Sequence, residues 1–63
     1  MTELEKLYQN MADTLEQGMT DLEKFEAGNM SAGTRVRKNM QAIKDLAQKI
    51  RVTVQEQKNA VTA

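Results

Sequence analysis

The apolar positions of this chain recur in alternating steps of four and three. Leu4, Tyr8, Met11, Leu15, Gly18, Leu22 and Phe25 follow that rhythm in the first half, and Gly33, Val36, Met40, Ile43, Ala47, Ile50 and Val54 follow it in the second. Such spacing keeps one stripe of a helix turned toward a partner helix along its whole length. Written as heptads, helix 1 has d at 4, 11, 18 and 25 and a at 8, 15 and 22, and helix 2 has a at 33, 40, 47 and 54. The pattern predicts helix 1 over about 2–27, a turn at about 28–30, helix 2 over about 31–58 and a frayed end at 59–63. Gly28 suits the residue that ends helix 1, and Asn29 or Ser31 suits the cap of helix 2.

So short a link makes the helices antiparallel neighbours. A hairpin bent near residue 29 pairs positions whose numbers add to about 58. Phe25 then meets Gly33, Leu22 meets Val36, Gly18 meets Met40, Leu15 meets Ile43, Met11 meets Ala47, Tyr8 meets Ile50 and Leu4 meets Val54. Three of those layers set a large side chain against a small one, as close packing favours. The expected fold is all-α: an antiparallel two-helix hairpin of coiled-coil type.

One seam is a thin core for 63 residues. Beside it, the g edge is nearly neutral (Leu7, Thr14, Ala32, Asn39, Leu46 and Thr53, with Asp21 its one charge). The e edge of helix 2 is basic, with Arg37, Lys44, Arg51 and Lys58, and faces Glu5, Ala12, Met19 and Glu26 of helix 1. The neutral edge, through Leu7, Thr14, Asn39, Leu46 and Thr53, is therefore the expected self-association surface. Two hairpins meeting there would form a homodimeric four-helix bundle with the basic edge outside.

The chain has no Pro, Cys, His or Trp. That removes disulfide scaffolds, thiolate zinc sites and histidine-based catalysis. Its carboxylates lie on polar helix surface, no P-loop ending follows the glycines, and no cofactor, metal or small-molecule substrate is expected. No apolar run approaches a membrane span, and MTELEKL has no signal-peptide character, so a soluble cytoplasmic protein is expected.

The net charge of zero conceals a division. Residues 1–28 hold seven acids against Lys6 and Lys24, net −5, and residues 29–63 hold seven bases against Asp45 and Glu56, net +5. Mutual attraction of the two halves accounts for this, and so does affinity of one half for nucleic acid. Arg35, Arg37 and Lys38 fall in the first turns of helix 2, where helix stability alone favours acids. Free N–H groups there, with Asn29, Ser31 and Gly33, outline a candidate anion site. Lys44, Arg51 and Lys58 then repeat Arg37 every seven residues, about 10 Å apart, a line suited to phosphate contacts without base readout.

Residues 28–59 resemble the short bacterial linker-histone-like proteins related to the chlamydial histone-like nucleoid protein. Gly28, Asn29, Ala32, Gly33, Arg35, Arg37 and Lys38 match that family's Gly-Asn-x-x-Ala-Gly-x-Arg-x-Arg-Lys core, followed by an amphipathic helix. The resemblance implies a DNA-binding, chromosome-associated helical hairpin. Chlamydial members carry a long Lys/Ala/Pro-rich tail, whereas this sequence ends at QKNAVTA. DNA contact is therefore expected from Arg35, Arg37, Lys38, Lys44, Arg51 and Lys58. The other reading is a non-enzymatic structural or adaptor hairpin that self-associates and binds a protein or small anionic partner.

Overall fold

The computed structural model describes residues 1–62, which form two antiparallel helices packed side by side. Helix α1 is Glu3–Glu26 and helix α2 is Met30–Thr62. The expected frayed end is helical as far as Thr62, and Ala63 lies outside the described residues.

Both ends of α1 are closed by local hydrogen bonds. The backbone N–H of Glu5 donates to Thr2 Oγ1 at 3.1 Å, and the N–H of Thr2 donates to Glu5 Oε1 at 2.9 Å. This reciprocal box satisfies donors that a helix start leaves free. The Thr2 N–H, and then its hydroxyl, hold the Glu5 carboxyl below its ordinary pKa. At the other end, Gly28 N–H donates to Phe25 O and Asn29 N–H donates to Lys24 O, both at 2.9 Å. That is a Schellman closure, and it needs the left-handed φ of +105° at Gly28. Asn29 then starts α2, its Oδ1 accepting from Ala32 N–H at 3.3 Å.

The register follows the expected one near the turn. A Cβ built on Gly33 would lie 2.8 Å from the Phe25 ring, so Gly33 makes room for Phe25. Further along, Gly18 is met by Asn39, where Met40 was expected. Asn39 Nδ2 passes over Gly18 and donates to the Thr14 carbonyl at 2.7 Å. Arg35 Nε donates to Asp21 Oδ1 at 2.8 Å one level closer to the turn.

These cross-links all involve the g edge, and burial agrees with them. Among the described residues, Ala32, Leu46 and Ile50 are the buried apolar ones, with Leu46 only 9% exposed, and Gly18 is buried beside them. Leu7, Thr14, Asp21, Asn39 and Thr53 are half-buried. By contrast Tyr8 is 63% exposed, and Leu15 and Met40 are each 47% exposed. Each helix is thus rotated so that d and g, rather than a and d, face the partner helix. The neutral edge expected to join two molecules lies partly between the helices of one hairpin, with Leu46 buried and Leu7, Thr14, Asn39 and Thr53 half-buried. The physical reason lies in contacts between the two helices. Arg35–Asp21, Asn39–Thr14 and Leu46 give that edge polar and apolar partners within the chain, whereas Arg37, Lys44 and Arg51 on the e edge would have to be desolvated there.

The rotation leaves an apolar stripe uncovered. Tyr8, Leu15, Met19, Leu22 and Phe25 on α1 and Met40 and Val54 on α2 are exposed. Leu15, Met19, Leu22, Val36 and Met40 line a shallow groove over Gly18 and Asn39. The hairpin is a single layer measuring 53 × 19 × 10 Å between its outermost Cα positions.

Candidate nucleic-acid interface

The basic residues of α2 lie on a helix whose start is held by its own turn. Asn29 Oδ1 accepts both the Ser31 hydroxyl, at 2.7 Å, and the Ala32 N–H. Gly33 is covered by the Phe25 ring. Asn29, Ser31 and Gly33, the three residues of the candidate anion site, are therefore already engaged in closing the turn.

Arg35 is the member of the basic set that faces the seam. Its ion pair with Asp21 joins α2 to α1, and the acid is the one charge on the g edge. A register close to that of Phe25 and Gly33 brings the two level, so the pairing was open to sequence reasoning. The rotation that turns g inward is what selects it.

The remaining bases point away from the seam. Arg37, Lys38, Lys44 and Arg51 are exposed, and among the described residues none of them forms an ion pair within 4.0 Å. Glu26 and Glu5 thus leave Arg37 and Arg51 free of direct neutralisation, and Asp45, the acid next to Lys44, accepts instead from Gln41 Nε2 at 3.1 Å. Lys58 continues the row and is exposed. Arg37, Lys44, Arg51 and Lys58 recur every seven residues, about 10 Å apart along the axis. Exposed, mutually spaced cations are suited to a run of phosphates, and they offer no fixed constellation that would read base edges.

The family comparison covers the stretch of chain that forms this hairpin. The model of the family described as Histone H1-like protein Hc1 covers residues 5–60, taking in nearly all of both helices. The chain belongs to the histone H1-like protein Hc1 family. Among curated proteins and among solved structures, nothing matches. The Hc1 match reaches well beyond residues 28–59, where the sequence resemblance lies, and includes the acidic α1. It therefore embraces nearly the whole hairpin, with both of its oppositely charged helices. No helix in the described part of this Hc1-family chain is long and apolar enough to cross a membrane.

Proposed function

We propose that this chain is a nucleoid-associated, histone-like protein that binds DNA non-specifically through phosphate contacts from α2. The exposed, unpaired row of Arg37, Lys44 and Arg51 carries the reading, with Lys38 and Lys58 beside it. Membership of the Hc1 family supports it. Arg35 contributes mainly by holding α2 against α1 through Asp21. The activity is binding rather than catalysis, and its place is the bacterial nucleoid within the cytoplasm.

A cation bound to DNA displaces condensed counterions, so each phosphate contact steepens the fall of affinity with salt by about 0.9 in log–log slope. Titration of unrelated duplexes across a salt series tests the reading. We expect sequence-indifferent binding with a slope of about −2.7 to −4.5, as three to five phosphate contacts require. Absence of binding even near about 50 mM salt, where such contacts are strongest, would refute it. That outcome would favour a self-associating adaptor hairpin for a protein or small anionic partner, a reading supported by the zero net charge.

A further inference from the structure

We propose that the cleft at the closed end of the hairpin is a stacking site for one unpaired DNA base, with Phe25 as the platform and Arg37 on its phosphate. The inference rests on the reading of the α2 row as phosphate-facing, and adds a base contact to it. The cleft lies beside the turn and measures about 320 Å³. Phe25, Met30, Gly33, Thr34, Val36 and Arg37 line it. That size falls at the small end of sites that hold compact organic ligands.

Phe25 is set there as a fixed ring with an open side. Heptad spacing places it in the seam, yet 41% of its surface is exposed. Gly33 accounts for the fixed position. A Cβ built on it would lie 2.8 Å from both Cδ1 and Cε1 of the ring, so the ring sits over a bare Cα. Its side-chain freedom is already lost on folding, and a base that covers the remaining ring surface need not immobilise it. Met30, 74% exposed, and half-buried Val36 offer the same base apolar contact at its edges.

The charge on the rim selects the occupant. Arg37 is exposed and among the described residues forms no ion pair within 4.0 Å, although Glu26 follows Phe25 directly in the chain. An apolar peptide side chain would suit the walls but bring nothing to answer that guanidinium. A nucleotide brings a flat ring and an anion joined by one sugar. Arginine suits the phosphate, and a phenyl ring suits any base, since every base has a π face. A base paired within a duplex shows only its edges, so Phe25 reaches a base face only where the strand is open. Duplex and unpaired DNA thus share the row of Arg37, Lys44 and Arg51, and Phe25 adds affinity for the unpaired form alone.

The intact chain tests this with oligo(dT) and with a duplex of equal phosphate number, at one salt concentration. Thymine runs stack little on themselves, so little stacking is lost on binding. Phe25→Leu should weaken oligo(dT) binding by about tenfold and duplex binding by less than about twofold, as loss of one base stack implies. Phe25→Tyr should retain the oligo(dT) affinity. Because the chain has no Trp, Phe25→Trp supplies a unique fluorophore, which oligo(dT) should quench and the duplex should not. Failure of the native chain to bind oligo(dT) would overturn the inference. So would equal losses for both probes with Phe25→Leu, or an unquenched indole in a chain that binds oligo(dT). Tighter binding of oligo(U) than of oligo(dT) would overturn the assignment to DNA in favour of RNA. If Phe25→Leu also loses helicity, the quenching still decides. Duplex binding and its salt slope survive each of these refutations, so this inference and the proposed function fail separately.

Discussion

At Gly18 the missing side chain leaves the Thr14 carbonyl open to the neighbouring helix, and Asn39 uses the opening. A Cβ there would lie 2.7 Å from Asn39 Cγ, so the carboxamide that makes the 2.7 Å bond to Thr14 O must shift. Glycine within a helix costs about 1 kcal/mol against alanine. That cost sets up a change of sign. Gly18→Ala in the native background should destabilise the hairpin by about 1–2 kcal/mol, because a part-buried hydrogen bond is lost and two helices are pushed apart. In an Asn39→Ala background the obstacle is gone, and the same substitution should stabilise by up to about 1 kcal/mol. Urea unfolding of the four chains measures the cycle, and additive effects would show that Asn39 and Gly18 act independently. The sequence made Gly18 legible as a close-approach site. It assigned the approach to Met40, because heptad counting pairs a with d and is blind to a polar side chain on the flank.

At the scale of the helix, the question is which flank of each apolar stripe turns inward. Leu46 answers it, being nearly as buried as Ile50 while Met40 stays half open. Leu46→Ala should therefore lower stability by about 3 kcal/mol, as removal of a packed leucine does in other cores. Leu46→Glu should yield a chain that loses helical circular dichroism at low concentration. A folded, fully helical monomer from Leu46→Glu would instead return the neutral edge to the outside. The ends of the elements were far easier to read. Gly28 and Asn29 specify the turn through their own backbone and side-chain bonds. The capping box of Thr2-Glu-Leu-Glu5 was missed in the sequence, although four adjacent positions spell it. Caps are local, so neighbouring residues suffice to predict them.

For the whole molecule, the basic residues of α2 divide by position. Arg35 and Asp21 attach the halves to each other, while Arg37, Lys44 and Arg51 remain exposed, the residues proposed above to meet DNA. Substitutions should separate these roles. Arg35→Ala should cost at most about 1 kcal/mol of stability, as exposed ion pairs do, and should alter the salt slope of DNA binding little. Lys44→Gln with Arg51→Gln should leave the unfolding midpoint nearly unchanged and flatten that slope by about 2. Equal slopes in both variants would remove the α2 row from the interface. Of the basic set read in the sequence, Arg35 is the one that pairs with an acid of α1. Its seam position depends on rotation, and the bases at e positions stay outside the hairpin because no partner helix within the chain reaches them.

The sequence by itself determined the two helices, the bend at Gly28, the approximate pairing of one helix with the other and the segregation of charge. Each of those follows from periodicity or from bonds between near neighbours. Only the tertiary structure decided how far each helix is turned about its own axis. A heptad stripe has a flank on either side, and a period of seven is compatible with burying d and g or a and d. Contacts between residues fourteen or more positions apart, Asp21 with Arg35 and Thr14 with Asn39, select the first. That rotation puts Leu46 inside the hairpin and leaves Leu15, Met40 and the row from Arg37 to Arg51 on its outer surface.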